Sequence, residues 1–131
     1  MEEQIRFYEA KLAYEMDSAD LVEILKGKDS VVVIDTRQGE AYHTEHIPGS
    51  ISFPHRTMDA ISTQNLDRNC VYVTYCDGIG CNASTKGALK LARLGFRVKE
   101  LIGGLDWWKR DGYTTDGTHS TKEGEDRRCA C

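Results

Sequence analysis

The sequence predicts an α/β domain: a mostly parallel sheet flanked by helices on both faces. Three observations carry the prediction. "SVVVID" (Ser30 to Asp35) and "VYVTY" (Val71 to Tyr75) are continuous runs of β-branched and aromatic residues, the composition of strands buried on both faces. Segments of helical length alternate with the strands, which calls for parallel pairing through crossovers. A chain of 131 residues can also bury about two-thirds of its unfolded surface in one core and needs no disulfides to fold.

Each element has its own signal. "EEQIRFYEAKLAYEM" opens with helical spacing (Ile5, Tyr8, Leu12), and its end passes into a short strand around Leu12 to Glu15. Asp17 or Ser18 caps the next helix, whose apolar face is Leu21, Val22, Ile24 and Leu25 and whose stop is Gly27. "SVVVID" is the first long strand, "GSISFP" a short second, "VYVTY" a third and "RVKELI" a fourth. Ala83 to Leu94 has a helical pattern that Gly95 ends, and "LDWWKRDGY" makes a final helix. The organisation expected is an extension over residues 1–16, one domain over 17–113, and a disordered polar tail over 114–131, where "TTDGTHSTKEGEDRRCAC" has almost no apolar residue.

Charge and composition exclude several functions. With 17 Lys and Arg against 21 Asp and Glu the net charge is −4, and no basic run exceeds a pair, so neither nucleic acid nor a membrane surface is the expected partner. Signal-peptide and membrane-spanning runs are lacking, and a cytoplasmic location is expected. In that compartment thiols stay reduced, and five cysteines indicate chemistry or chance more than a disulfide framework.

Ligands bind open parallel sheets at the carboxyl ends of the strands, and Cys76 lies at such an end. After it, "DGIGCNAS" carries two glycines able to take positive φ and turn backbone N–H groups toward one point. The helix beginning near Asn82 adds the positive end of its dipole. The expected binding loop is therefore Asp77, Gly78, Ile79, Gly80, Cys81 and Asn82 around Cys76. An anion cradle of this kind lowers a thiol pKa from about 8.5 and favours the nucleophilic thiolate. The alternative is a small buried hydrophobe.

These residues also carry a resemblance. "VVVIDTRQGEAYHTEHIPGSISFP" resembles the first half of rhodanese-like domains, "TYCDGIGCNAS" their active-site loop, and "GFRVKELIGGLDWWKRDGY" their last strand, paired glycines and tryptophan-bearing helix. The three matches occur in order from Ser18 to Tyr113. The resemblance implies a rhodanese-like three-layer fold and a sulfurtransferase or persulfide carrier. Sulfane sulfur from thiosulfate, mercaptopyruvate or a persulfide, a protein-bound one included, would pass through a Cys76 persulfide to a thiol or cyanide acceptor, with no cofactor or metal. It assigns structural roles to Asp35, Arg37, His46, Gly103, Gly104 and Trp108, with Glu40 a partner for Arg37. Phosphatase members of this architecture need an Arg six residues after the cysteine, and that position is Asn82.

The loop also departs from the common sulfurtransferase form. Its helix begins later, it lacks a basic residue, and Asp77 sets a charge unfavourable to an anionic donor. A neutral or protein-bound persulfide, or a polysulfide, suits it better. His55 and Arg56 are the nearest candidates for a cation facing the loop, with surface exposure the alternative. Cys81 either resolves a persulfide or sulfenic acid on Cys76, which gives the rival reading of a thiol-redox or sensor protein, or points into helix–sheet packing. Structural zinc on Cys76, Cys81, Cys129 and Cys131 has the wrong spacing. A tail cysteine could also accept sulfur from Cys76, against an inert terminus as the alternative. Cys70, which starts a strand, is expected in the core.

Overall fold

The computed structural model describes residues 1–120. Helix α1 (Glu2–Tyr14) leads into strand β1 (Glu15–Met16), followed by α2 (Ser18–Lys26), β2 (Val31–Asp35), α3 (Gly39–Thr44), β3 (Ile51–Ser52), a 3₁₀ turn (His55–Thr57), β4 (Val71–Tyr75), α4 (Ala83–Arg93), β5 (Arg97–Leu101) and α5 (Gly104–Arg110). The five strands form one sheet in the order β1-β5-β4-β2-β3, every pair parallel.

Side-chain alternation along β2 and β4 builds the layers. Val33, Val73 and Tyr75 point to one face and join Met16, Leu21, Ile47, Leu101, Leu105 and Trp108 in a cluster closed by α2 and α5. Ile34 and Tyr72 point to the other, where Met58, Leu91 and Phe96 close a second cluster beneath α4. Both faces of the central strands are covered, which is why their sequences are apolar throughout instead of alternating. The capping of α2 resolves to Asp17: its carboxylate accepts from Asp20 N at 2.9 Å, and Asp20 returns the contact to Asp17 N.

Three expectations change. The edge strand is Glu15–Met16 and not Leu12 to Glu15, because α1 continues to Tyr14. Helix α3 has no counterpart in the sequence reading, since "GEAYHT" has no apolar repeat and buries no residue. Residues 114–119, expected in a disordered tail, pack onto the domain. Thr114 O accepts from Trp108 Nε1, Thr115 is buried with its hydroxyl donating to Glu45 Oε2, and Asp116 pairs through its backbone with His46. Composition missed this because the contacts are polar. The expectations for 121–131, Cys129 and Cys131 included, lie outside the described residues.

Among the described residues no helix is long and apolar enough to cross a membrane. Helix α1 buries no residue, and Phe7 and Leu12 are 60% and 85% exposed.

Candidate active site

Chain order and strand order diverge at the middle of the sheet. From β2 the chain steps outward to β3, then returns to place β4 on the other side of β2. Loops leaving the carboxyl ends of β2 and β4 therefore start side by side, at the switch point where such sheets bind ligands. The register pairs Asp35 with Tyr75, and Thr36 fastens the two exits by donating its N–H and its hydroxyl to Tyr75 O at 3.1 and 2.8 Å. One step further Cys76 emerges, 2% exposed.

Cys76 is held by its backbone. Its carbonyl accepts from Leu105 N at 2.9 Å, and Asp77 O accepts from Asp106 N at 2.8 Å, so the first turn of α5 grips the strand exit. Gly103 and Gly104 make this possible, with φ of +80° and +56°. A Cβ on Gly104 would collide with Cys76 O, and one on Gly103 would enter the Trp107 side chain. Glycine is required there by close approach as well as by conformation. Of the two loop glycines only Gly80 takes positive φ, at +93°. Gly78 instead leaves room for Asp106, whose Cβ would lie 3.1 Å from an added methyl.

Cys81 returns to Cys76 and the two form a disulfide, with 6.3 Å between Cα atoms. Cys81 N donates to Gly78 O at 3.2 Å, closing the turn that brings it back. Packing of Cys81 into the helix–sheet interface, the other expectation for it, is not what the structure contains. Ile79 at the loop tip is 81% exposed, and Asn82 is the N-cap of α4 without a side-chain cap bond. A cleft of about 200 Å³ runs beside the disulfide, lined by loop residues 78–80, Ser84, Glu100 and the segment 101–104.

Glu100 is the residue that sequence reasoning missed. Its Oε2 accepts from the hydroxyls of Ser84 and Thr85 at 2.8 and 2.7 Å. A carboxylate of the protein thus already complements the first turn of α4, where the sequence suggested a cradle for an external anion. Among the described residues lining the cleft, none is basic. The ligand atoms of Cys76, Asp77 and Cys81 lie within 4.8 Å of one another, but sulfurs joined in a disulfide are not the thiolates that bind zinc.

Asp77 does not stand as an isolated charge. Its Oδ1 accepts from Arg37 Nη1 at 2.9 Å, two residues past the paired strand ends on each side. Arg37 also donates to both Asp35 oxygens, closest at 2.7 Å, and to the carbonyls of Ala41 and Glu45, so its partners do not include Glu40. Burial works against the Arg37 charge, but Asp35 first and Asp77 second outweigh it and hold its pKa above the ordinary value. Asp35 is fully buried and accepts a further bond from Tyr75 Oη at 2.9 Å. Tyr75 Oη in turn accepts from Ile47 N and contacts Ser50 Oγ. Burial, then the Asp35 charge, raises the Tyr75 pKa well above its ordinary 10.0.

The remaining predicted residues lie around this frame. His46 stacks on Tyr42 with ring centroids 3.8 Å apart and directs Nδ1 to Tyr42 O. Trp108 is buried, while Trp107 is 42% exposed. His55 is not among the residues lining the cleft, and burial, then Lys90, Lys86 and Arg56, lower its pKa from 6.5. Arg56 is exposed in the 3₁₀ turn and is not among the residues lining the cleft. Cys70 is a half-buried thiol packed at the margin of the second core cluster.

Comparison with known proteins agrees with this fold. The rhodanese-like domain family model matches residues 17–111. The thiosulfate sulfurtransferase GlpE of Coxiella burnetii is 31% identical over 96 residues, covering 72% of this chain and 85% of that one. The HTH-type transcriptional regulator Rv0324 of Mycobacterium tuberculosis is 32% identical over 104 residues, 76% of this chain; the match spans 45% of the regulator's length. Among solved structures, the BH2092 protein of Bacillus halodurans superposes with a TM-score of 0.83 at 41% identity, covering 98% of this chain and 96% of that one.

Proposed function

Because the chain belongs to the rhodanese-like domain family, we propose that it is a sulfurtransferase or persulfide carrier whose sulfur rides on Cys76. The observation that carries this reading is the placement of Cys76 at the exit of β4, between the α5 turn that fixes its backbone and the loop that enters α4. In its reduced form the thiolate attacks the outer sulfur of a donor, the donor's sulfite or thiolate leaves with the electron pair of the broken bond, and Cys76 persulfide remains. A thiol or cyanide then attacks the outer sulfur and returns Cys76 as thiolate.

The charge pattern favours some donors over others. Glu100 in the cleft wall and no lysine or arginine among the described lining residues disfavour a small dianion such as thiosulfate, and favour a neutral or protein-bound persulfide. Arg37 acts at one remove as a positioning residue, since its guanidinium ties Asp77 beside the nucleophile to the end of β2. This chemistry requires surroundings that keep thiols reduced, as the cytoplasm does.

The test is the intact mass of the reduced protein after exposure to glutathione persulfide. The expected result is one added sulfur, stable to desalting in a Cys81→Ser variant and lost in a Cys76→Ser variant. Equal labelling of Cys76→Ser would refute the assignment. The disulfide itself favours a second reading, a thiol-redox or sensor protein, for which mild oxidant alone would close the pair and alter a binding or catalytic property.

A further inference from the structure

We infer that Cys81 is a resolving nucleophile that discharges the Cys76 persulfide as hydrosulfide, making the domain a dithiol-dependent reductase of sulfane sulfur. The inference rests on the sulfur-carrier reading and adds the fate of the sulfur. Its basis is which sulfur Cys81 reaches. In the structure Cys81 Sγ is bonded to Cys76 Sγ itself, which in a persulfide is the inner sulfur. A divalent sulfur already attached to Cβ holds one further partner, so the outer sulfur and Cys81 compete for the same bond.

The step balances without an outside oxidant. Cys81 thiolate attacks Cys76 Sγ, the Sγ–Sγ bond forms, the bond from Cys76 Sγ to the outer sulfur breaks, and its electron pair leaves as hydrosulfide, which keeps the proton of the persulfide. The sulfane sulfur is reduced and the two cysteines are oxidised by the same two electrons. A dithiol, small or carried on a protein, then returns two electrons and two protons to the disulfide and opens the pair for the next turn.

Several features of the loop suit this role. Cys76 is held through its own carbonyl and that of Asp77 by α5, whereas Cys81 follows a Gly-Ile-Gly segment with one backbone bond, from Cys81 N to Gly78 O, closing the turn. The target sulfur is thus anchored by α5, and the attacking one is carried to it by the turn. Once closed, the pair leaves Cys76 2% exposed while Cys81 remains half-exposed, so an incoming dithiol meets Cys81 first.

The experiment charges reduced protein with glutathione persulfide, removes small molecules and follows both hydrosulfide, trapped with a bimane, and intact mass. Wild type should release one equivalent of hydrosulfide per chain and end two hydrogens lighter than its reduced form. Cys81→Ser and Cys81→Ala should hold the added sulfur and release only background. Adding a dithiol and further persulfide should restart wild type. If wild type and the Cys81 variants take up sulfur and hold it equally, or release hydrosulfide equally, the resolving role is wrong and the carrier reading stands. If none takes up sulfur, the carrier reading fails and this inference fails with it.

Discussion

A single hydroxyl joins the interior to the strand exits of the site. Tyr75 Oη donates to the buried Asp35 carboxylate and accepts from Ile47 N, so removing it leaves a buried donor and a buried charge each short of one partner. Tyr75→Phe should cost about 1–3 kcal/mol, read as a lower denaturation midpoint. The sign of its pH dependence follows from the raised pKa. The unfolded side chain ionises near 10.0 and the folded one higher, so the unfolded state loses its proton first as the solution becomes alkaline. The stabilisation is complete below about pH 10 and is lost as pH rises through the folded value. Wild type should therefore weaken above pH 10 more steeply than Tyr75→Phe, and parallel alkaline limbs in chemical denaturation would contradict this assignment. Asp35 and Arg37 were legible as structural residues through the resemblance to rhodanese-like domains. That Arg37 also reaches Asp77 was not, because it follows from the Asp35–Tyr75 register, which a sequence does not print.

At the scale of elements, the docking of α5 on the β4 exit is the contact on which the site depends. Gly104→Ala places a methyl against Cys76 O in left-handed backbone. The conformational penalty alone is about 1–2 kcal/mol, and the overlap adds to it by pushing α5 away from the loop. Thermal denaturation should show a midpoint several degrees lower, together with slower persulfide uptake at Cys76. A variant unchanged in both would mean that the close approach is dispensable. Strands β2 and β4 were readable because burial on two faces leaves a continuous apolar run, and α2 and α4 because burial on one face leaves a periodic one. Helix α3 and the β1 boundary were not: α3 buries nothing, and β1 is two residues whose pairing with Glu100 and Leu101 comes from the far end of the chain. Glu100 escaped notice for a related reason. It reads as a polar residue on a strand, and its partners Ser84 and Thr85 come from α4.

Over the whole molecule, stability resides in the two clusters on either face of the sheet, and α1 contributes no buried side chain to either. Deleting Glu2 to Tyr14 should leave the melting temperature within a few degrees of wild type, provided Glu15 and Met16 remain to pair with β5. A collapse of cooperative unfolding in calorimetry would show that the helix supports the sheet edge after all. The C-terminal side behaves differently. Thr115 and Asp116, polar in sequence, are tied to Glu45 and His46, so the domain extends past the final helix. Polar composition predicts solvation only while its groups lack partners, and here Glu45 supplies one.

Trp107 and Trp108 are neighbours in sequence but not in environment. Trp108 is closed into the first core cluster, whereas Trp107 is partly open to water and shares a shallow pocket with Ile79 at the tip of the cysteine loop. The protein thus carries two intrinsic fluorophores on one helix. The buried indole should emit further to the blue and follow the integrity of the core, and the exposed one further to the red and follow the loop, so unfolding and the opening of the disulfide are expected to have separate spectral signatures in the same unlabelled sample.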